Sequence, residues 1–194
     1  VQAGHDNTAW SSDSVTTSMT NRAGVLVRNA ERSEVIKAAL MAGADRVTHD
    51  TTSADLLNYR RSATDQTANG LDRRYGAGQL NARNSYWILA AGEQGSTEDG
   101  NAAANVASRG FDYDPYFGGS SGSNTTATYP LPVDTVPRLL TAALVWNLDI
   151  NGGTASSFNP AATLRDLNLE VLDLSEAGNP VVMSSQSTIE NTEN

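Results

Sequence analysis

The 194-residue sequence has no cysteine, few aromatic residues and a deficit of positive charge. Without cysteine, the chain has neither a disulfide framework nor a thiolate metal site, and its redox compartment stays open. The 13 basic residues against 22 acidic ones give a formal net charge of -9. Because no basic patch can replace the counterions around phosphates, we expect no nucleic-acid partner. No apolar run reaches the roughly 20 residues that span a bilayer, and no signal peptide opens the sequence, so we expect no membrane partner.

Uncharged polar residues and glycine take the place of the missing classes. Only 39% of the residues are hydrophobic and 18% are charged. This balance favours a secreted, β-rich protein over a cytosolic helical enzyme. The length suits one large domain or two pieces of about 100 residues each.

The first half of the chain predicts two helices. Over residues 30–42, aliphatic residues recur at helical spacing, preceded by the capping residue Asn29 and followed by Gly43. Residues 45–69 are rich in Thr, Asp, Ser and Arg and predict a long surface excursion. The second helix lies within Leu71–Gly92, where a turn with two glycines leads into a buried helix capped by Asn81.

The second half of the chain predicts strands. Residues 93–104 have the composition of a linker, which places a domain boundary between residues 1–95 and residues 105–194. Beyond it, apolar residues recur with a period near two, and an antiparallel β-sandwich is the natural interpretation. Fewer strands are visible than a sandwich needs, so we expect it to be incomplete. The predicted strands are Ser108–Tyr113, Arg138–Asn147, Asp166–Val171 and Val181–Ser184.

No stretch of the sequence supplies a complete catalytic constellation. The only histidines, His5 and His49, lie in polar contexts typical of surface residues, and a nucleophile needs a base beside it. The turn Gly76–Gly78 lacks the third glycine and the preceding apolar strand of a phosphate-binding loop, so it indicates close packing.

One loop resembles part of a calcium site. Residues Asn147–Gly152 match the first six positions of a calcium-binding loop, but Phe158 stands where the bidentate glutamate belongs. An Asx-rich turn after a strand is the preferred interpretation, and calcium is the alternative. Asp112 and Asp114 form a weaker acidic pair. Asn124–Thr126 matches a glycosylation acceptor, which matters only in a chain secreted by a eukaryote.

The order of several segments resembles a known family. Residues Ser33–Ala44, SEVIKAALMAGA, and then Tyr75–Asn81, YGAGQLN, with its helix, resemble the end of the catalytic domain of subtilisin-like serine peptidases. In that family an S-x-x-x-[KR]-x-x-L-x-x-x-A helix follows the nucleophile helix, and a Y-G-x-G-x-[LV]-[ND]-A turn precedes the last helix. Residues Thr17–Met19 share the T-S-M core of the family's nucleophile motif, but their neighbours differ, so Ser18 is not assigned as a nucleophile.

The second half adds three segments to this resemblance. Residues Ala142–Trp146, Leu164–Val171 and Ser187–Asn191 are similar to the T-L-V-W, L-x-N-D-L-D-L and D-N-x-E-N patterns of the sandwich domain that follows the catalytic domain in many secreted subtilases. Arg165 and Asn168 depart from the pattern, so no metal role is carried over to them.

The resemblance implies an α+β chain made of the closing helices of a subtilisin-like α/β domain and a jelly-roll-like antiparallel sandwich. The family's triad comes in the order Asp, His, Ser, and this sequence begins after the Ser. We therefore expect no catalytic, cofactor-binding or metal-binding residue here. The expected partner is the N-terminal part of the same secreted protease, whose substrate is protein; a nicked protease with both parts still docked is a further form of this hypothesis.

A different class of function stays open beside this one. The chain is alternatively a non-catalytic extracellular β-sandwich module for adhesion or carbohydrate binding. Such a module needs an exposed aromatic groove, for which the candidates are Tyr113, Tyr116, Phe117 and Tyr129.

Overall fold

The computed structural model describes residues 1–11, 20–49, 54–95, 97–98, 105–115, 117, 125–132, 139–154, 156–188 and 191–194. These residues form short helices and small antiparallel sheets, so the fold is mixed α and β, as predicted. The finer prediction of a β-sandwich stays a prediction. None of the helices in the described part of the chain has the length and apolar character that crossing a bilayer requires.

The described residues fall into two compact units, each built from two separate stretches of chain. The first unit combines residues 1–45 and 80–141, and the second combines residues 46–79 and 142–194. The chain therefore passes from one unit to the other three times. A single boundary near residues 95–105 stays a prediction.

The first unit contains three of the helices. These are α1 (Gln2–Asp6), α2 (Ser33–Ala42) and α4 (Ala82–Ala90), with a 3-10 turn at Asn29–Glu31 before α2. The predicted helix over 30–42 is confirmed in its larger part, but it is interrupted because Arg32 is extended, with φ -63° and ψ 140°. The short strands β1 (Thr97–Glu98) and β2 (Ala127–Thr128) pair antiparallel in the same unit.

Helices α2 and α4 pack together at the centre of the first unit. The buried core residues are Ala30, Val35, Ala39, Leu89 and Phe111. Burying each aliphatic side chain contributes on the order of 2 kcal/mol, which explains why α2 forms where its apolar residues recur.

The predicted cap of α4 is confirmed. The side chain of Asn81 accepts a hydrogen bond from the amide of Asn84 at 3.0 Å and donates to both carboxylate oxygens of Asp45 at 2.9 and 3.0 Å. The burial of α4 is only partial, however. Tyr86 and Trp87 are 43% and 46% exposed. Consecutive residues are about 100° apart on a helix, so a run of large apolar residues cannot all face one core.

The second unit contains α3 (Leu56–Arg60) and three two-stranded antiparallel sheets. Their strands are β3 (Leu144–Val145) with β8 (Thr192–Glu193), β4 (Asp149–Thr154) with β5 (Ser157–Thr163), and β6 (Asn168–Leu172) with β7 (Val181–Gln186). The predicted strands Asp166–Val171 and Val181–Ser184 are confirmed, as β6 and β7, to within two residues at each end. In β6 the burial alternates along the strand, as its sequence pattern requires.

Two strand predictions are wrong in their extent. Of the described residues in the predicted strand Arg138–Asn147, only Leu144 and Val145 lie in a strand, because their partner β8 has only two residues. In the predicted strand Ser108–Tyr113, only Phe111 pairs, through an isolated bridge to Glu93. An apolar run predicts the burial of a segment, whereas the length of a strand depends on its partner.

Gly43 provides a test of the packing of α2 against α4. A methyl group at Gly43 would lie 2.7 Å from both the amide nitrogen and the hydroxyl oxygen of Ser85. We expect Gly43→Ala to lower the free energy of unfolding by about 1–3 kcal/mol, because the two helices would have to separate. Urea unfolding followed by circular dichroism measures this change.

The control variant is Gly95→Ala, since among the described residues, apart from its chain neighbours, none has an atom within 4 Å of the added methyl group. Equal unfolding midpoints for the Gly43 and Gly95 variants would contradict the close helix contact.

Candidate functional site

The second unit buries a group of polar side chains around the last residues of the chain. We call this group the C-terminal network. Glu193 is fully buried, with 0% exposure, and five further members are between 2% and 7% exposed. The members are Arg46, Asn69, Ser185, Ser187, Thr192, Glu193 and the partly buried Asn194.

Glu193 lies at the centre of the C-terminal network. One of its carboxylate oxygens, Oε1, accepts a hydrogen bond from the amide of Ser187 at 2.7 Å, and Oε2 accepts one from the hydroxyl of Ser185. Glu193 is also held by its backbone, since it pairs with Leu144 across strands β8 and β3. A buried carboxyl group needs such partners, because burying a polar group without hydrogen bonds costs free energy.

Arg46 joins two distant stretches of the second unit. Its guanidinium donates to the carbonyl of Ala77 through Nη1 and to Oδ1 of Asn194 through Nη2, the second at 3.2 Å. Burial, with a smaller contribution from the charge of Arg60, lowers the pKa of Arg46 to about 10. Arg46 therefore still carries its charge at neutral pH, and its two acceptors are needed to compensate for its burial.

The loop around Asn69 packs against the same C-terminal residues. The carbonyl of Asn69 accepts a hydrogen bond from the amide of Asn194 at 3.1 Å, and the carbonyl of Ala68 accepts one from the amide of Gln186 at 3.2 Å. The side-chain amide of Asn69 donates to the hydroxyl of Thr192 at 3.4 Å. These bonds connect residues more than 100 positions apart in sequence.

Sequence reasoning did not identify Glu193 and Asn194. The D-N-x-E-N pattern is similar to Ser187–Asn191, and it also fits three residues later, with Asn191, Glu193 and Asn194 at its N, E and N positions. The later frame selects residues that belong to the C-terminal network. This second match is the feature of the sequence from which Glu193 and Asn194 could have been identified.

Trp146 forms a second contact centre in this unit, which we call the Trp146 junction. The amide of Trp146 donates to the carbonyl of Asn191 at 3.2 Å, and the Asn191 side chain donates back to the carbonyl of Trp146 at 3.1 Å. The indole Nε1–H donates to the carbonyl of Arg165 at 2.9 Å. Trp146 is 8% exposed, and a buried indole needs such an acceptor.

A polar recess lies in the first unit. It has a volume of about 560 Å³ and carries two carboxylates, those of Glu93 and Asp112. The side chain of Asn29 donates to Oε1 of Glu93 at 2.7 Å. Asp112 accepts hydrogen bonds from the hydroxyl of Tyr129 at 2.9 Å and from the amide of Tyr113 at 2.8 Å. Burial nevertheless raises the pKa of Asp112, because it outweighs these two hydrogen bonds.

The candidate catalytic residues are not brought together by the described structure. His5 lies on α1, where its Nδ1 is 2.9 Å from Oε1 of Glu31. His49 is exposed, and its amide donates to the side chain of Gln79. Ser18 lies outside the described residues. The glycosylation residue Asn124 also lies outside them.

The candidate calcium residues do not form a loop. Residues 149–154 lie in β4, which pairs with β5 and contains an irregularity between Asn151 and Gly153. Among the residues that the structure describes, no group of three or more His, Asp or Glu side chains is arranged to hold a metal ion.

The aromatic candidates for a binding groove are engaged within the first unit where the structure describes them. The ring of Tyr113 lies 4.8 Å from the guanidinium carbon of Arg32, and Tyr129 donates to Asp112. Phe117 is partly buried, and Tyr116 lies outside the described residues. The adhesion or carbohydrate-binding module stays a prediction.

Comparison with family models, with curated proteins and with solved structures found no match to this chain.

Glu193→Gln tests the role of the buried carboxylate. Glutamine has one acceptor oxygen instead of two, so either Ser185 or Ser187 loses its acceptor and a buried amide group is left facing a donor. We expect the free energy of unfolding to fall by about 1–3 kcal/mol, measured by urea unfolding followed by circular dichroism.

The matched control is Glu176→Gln, which makes the same chemical change at an exposed position of the same unit. An unfolding midpoint for Glu193→Gln equal to that of the control would show that the carboxylate does not stabilise this unit.

Asp112 provides a test based on pH. Its pKa is raised in the folded state, so its contribution to stability is fully present below the ordinary value of 3.8 and is lost as the pH rises through the folded pKa. The free energy of unfolding therefore decreases as the pH rises through the folded pKa of Asp112, and we expect Asp112→Asn to remove this decrease. The carboxyl carbon shift of Asp112 in an NMR titration gives its pKa directly.

Asp173 is the control, because hydrogen bonds from Ser175 lower its pKa and its contribution has the opposite sign. A midpoint for Asp112 at or below 3.8 would contradict the burial of this carboxylate.

Proposed function

We propose that this chain is the C-terminal portion of a secreted subtilisin-like serine endopeptidase. In this proposal the first half supplies the closing helices of the catalytic α/β domain, and the second half supplies part of an antiparallel β-sandwich. The chain carries none of the three triad residues. Hydrolysis of peptide bonds belongs to the intact enzyme, in which the serine attacks the carbonyl with help from the histidine. The partner is therefore the N-terminal part of the same protease.

The Trp146 junction is the observation that carries the proposal. It joins the three segments of the second half that resemble the family, through hydrogen bonds that connect residues 19 and 45 positions apart. The resemblance was drawn from the sequence alone, where nothing requires these segments to meet. Trp146 bonds to Asn191 through one main-chain donor and one side-chain donor, and its indole bonds to the carbonyl of Arg165. Trp146 thus contacts both of the other segments, as expected when each segment is a strand or turn of one β domain.

The helices of the first half give independent support. The segments Ser33–Ala44 and Tyr75–Asn81 were selected because the family places two helices near the end of its catalytic domain. Helix α2 packs closely against α4, with Gly43 directly beside Ser85. Glycine is needed there because a side chain would overlap the neighbouring helix.

His5 has a local structural role in the first unit. The Nδ1 atom of His5 contacts Glu31, whose other carboxylate oxygen accepts the amide of Arg28 at 2.7 Å. This arrangement ties α1 to the turn at Asn29–Glu31. We assign no cofactor to the chain, and calcium at Asn147–Gly152 stays the alternative.

The test combines the encoded sequence with active-site labelling. We expect the reading frame upstream of Val1 to encode the Asp, His and Ser motifs in that order. The protein is then purified from its natural source, and its polypeptides are identified by intact mass under denaturing conditions. A fluorophosphonate probe is expected to label the upstream serine only, whether that serine lies in the same polypeptide or in a docked one.

Two controls make the result decisive. Replacing the upstream serine by alanine should abolish labelling, and residues 1–194 expressed alone should not react. Labelling of Ser18 or of any other serine within residues 1–194 would overturn the proposal, as would an upstream sequence without the three motifs.

A further inference from the structure

We propose that residues 191–194 act as a clamp on the loop formed by residues 66–79, so that the two segments fold and open as one element. We call residues 191–194 the clamp and residues 66–79 the clamped loop. The inference concerns the second unit only and does not depend on the proposed function.

The clamped loop holds its shape through turns and local hydrogen bonds, without a regular element of secondary structure. It contains neither a helix nor a strand, only isolated bridges at Gln66, Asp72 and Gly76. Its local support comes from the hydroxyl of Thr67, which bonds to Asn69 and Leu71, and from the paired main-chain bonds between Asp72 and Gly76. In addition, Oδ1 of Asp72 accepts the amides of Arg74 and Tyr75 at 2.7 Å. Ordering a residue costs about 1–2 kcal/mol of conformational entropy, whereas a hydrogen bond contributes only about 1 kcal/mol net. The loop therefore needs contacts from elsewhere in the chain.

The clamp supplies these contacts at the N-terminal part of the loop. Asn194 donates its amide to the carbonyl of Asn69, and Thr192 accepts from the Asn69 side chain. Strand β7 adds the bond from the amide of Gln186 to the carbonyl of Ala68. Asn69 is only 4% exposed, so breaking these bonds while the two segments stay packed would leave its polar groups unpaired.

Arg46 extends the clamp to the C-terminal part of the loop. The guanidinium bridges the carbonyl of Ala77 and the side-chain oxygen of Asn194. Because Arg46 is charged and buried, it favours the arrangement in which both acceptors are present. Movement of Asn194 would therefore be transmitted to the glycine turn Gly76–Gly78.

Gly70 shows how closely the two segments fit. A methyl group there would lie 1.8 Å from the carbonyl oxygen of Asn194, and the residue has φ +75°, a conformation that favours glycine. The backbones of the clamp and of the clamped loop are thus in direct contact. A coupling free energy between two segments is reciprocal, so loosening the loop must loosen the clamp to the same degree.

The test is hydrogen exchange with mass spectrometry on the whole chain, comparing Gly70→Ala with Gly178→Ala. Both glycines have positive φ, +75° and +87°, so both substitutions strain the backbone. A methyl group at Gly178, however, would have no atom of the described residues within 4 Å apart from its chain neighbours. We expect Gly70→Ala to accelerate exchange at least about tenfold in residues 66–79, in residues 191–194 and in β3, which pairs with the clamp. The hairpin of β4 and β5 should exchange as in the wild type.

The Gly178 control should leave the clamp and the clamped loop protected. Faster exchange in residues 66–79 with wild-type protection in residues 191–194 and β3 would overturn the inference, because it would show a loop that opens alone. If Gly70→Ala unfolds the entire chain, Asn194→Ala decides. This variant removes one of the two acceptors of Arg46 and retains the main-chain amide of residue 194. Unchanged protection of residues 76–79 would then overturn the inference.

Discussion

The second unit depends on the burial of one carboxylate, that of Glu193. A carboxylate removed from water must be surrounded by donors, and here Ser185 and Ser187 supply them. This requirement fixes the end of the chain relative to β7. Hydrophobic burial plays a smaller part than usual in the hairpin of β6 and β7, since Val182 and Met183 of β7 are 55% and 67% exposed. The unit is therefore organised by polar groups whose geometry is exacting.

The first unit is built on a more common principle. Helices α2 and α4 bury aliphatic residues against each other, and small residues at Gly43 and Ser85 allow the close approach. The Asn81 cap, backed by Asp45, determines where α4 begins. The two units thus illustrate two ways of compensating for chain entropy, one through apolar area and one through satisfied polar groups.

The sequence predicted local features well and long-range ones poorly. The periodicity of α2, the cap of α4 and the alternation of β6 each depend only on residues within one short segment. All three are predicted from the sequence. Residues 45–69 were interpreted as a surface excursion because they are polar. Arg46 and Asn69 are nevertheless buried, through partners at the far end of the sequence. No local pattern distinguishes a polar residue that faces water from one that meets a distant partner.

The chain crosses from one unit to the other three times, and this limits how the protein can be divided into fragments. The units are interleaved along the sequence, so a single cut anywhere within residues 46–141 separates parts of both. A recombinant piece that begins at residue 105 would retain Glu193 and Asn194 but lose Arg46 and Asn69. A piece that keeps these partners together has to contain both stretches of the second unit, residues 46–79 and 142–194.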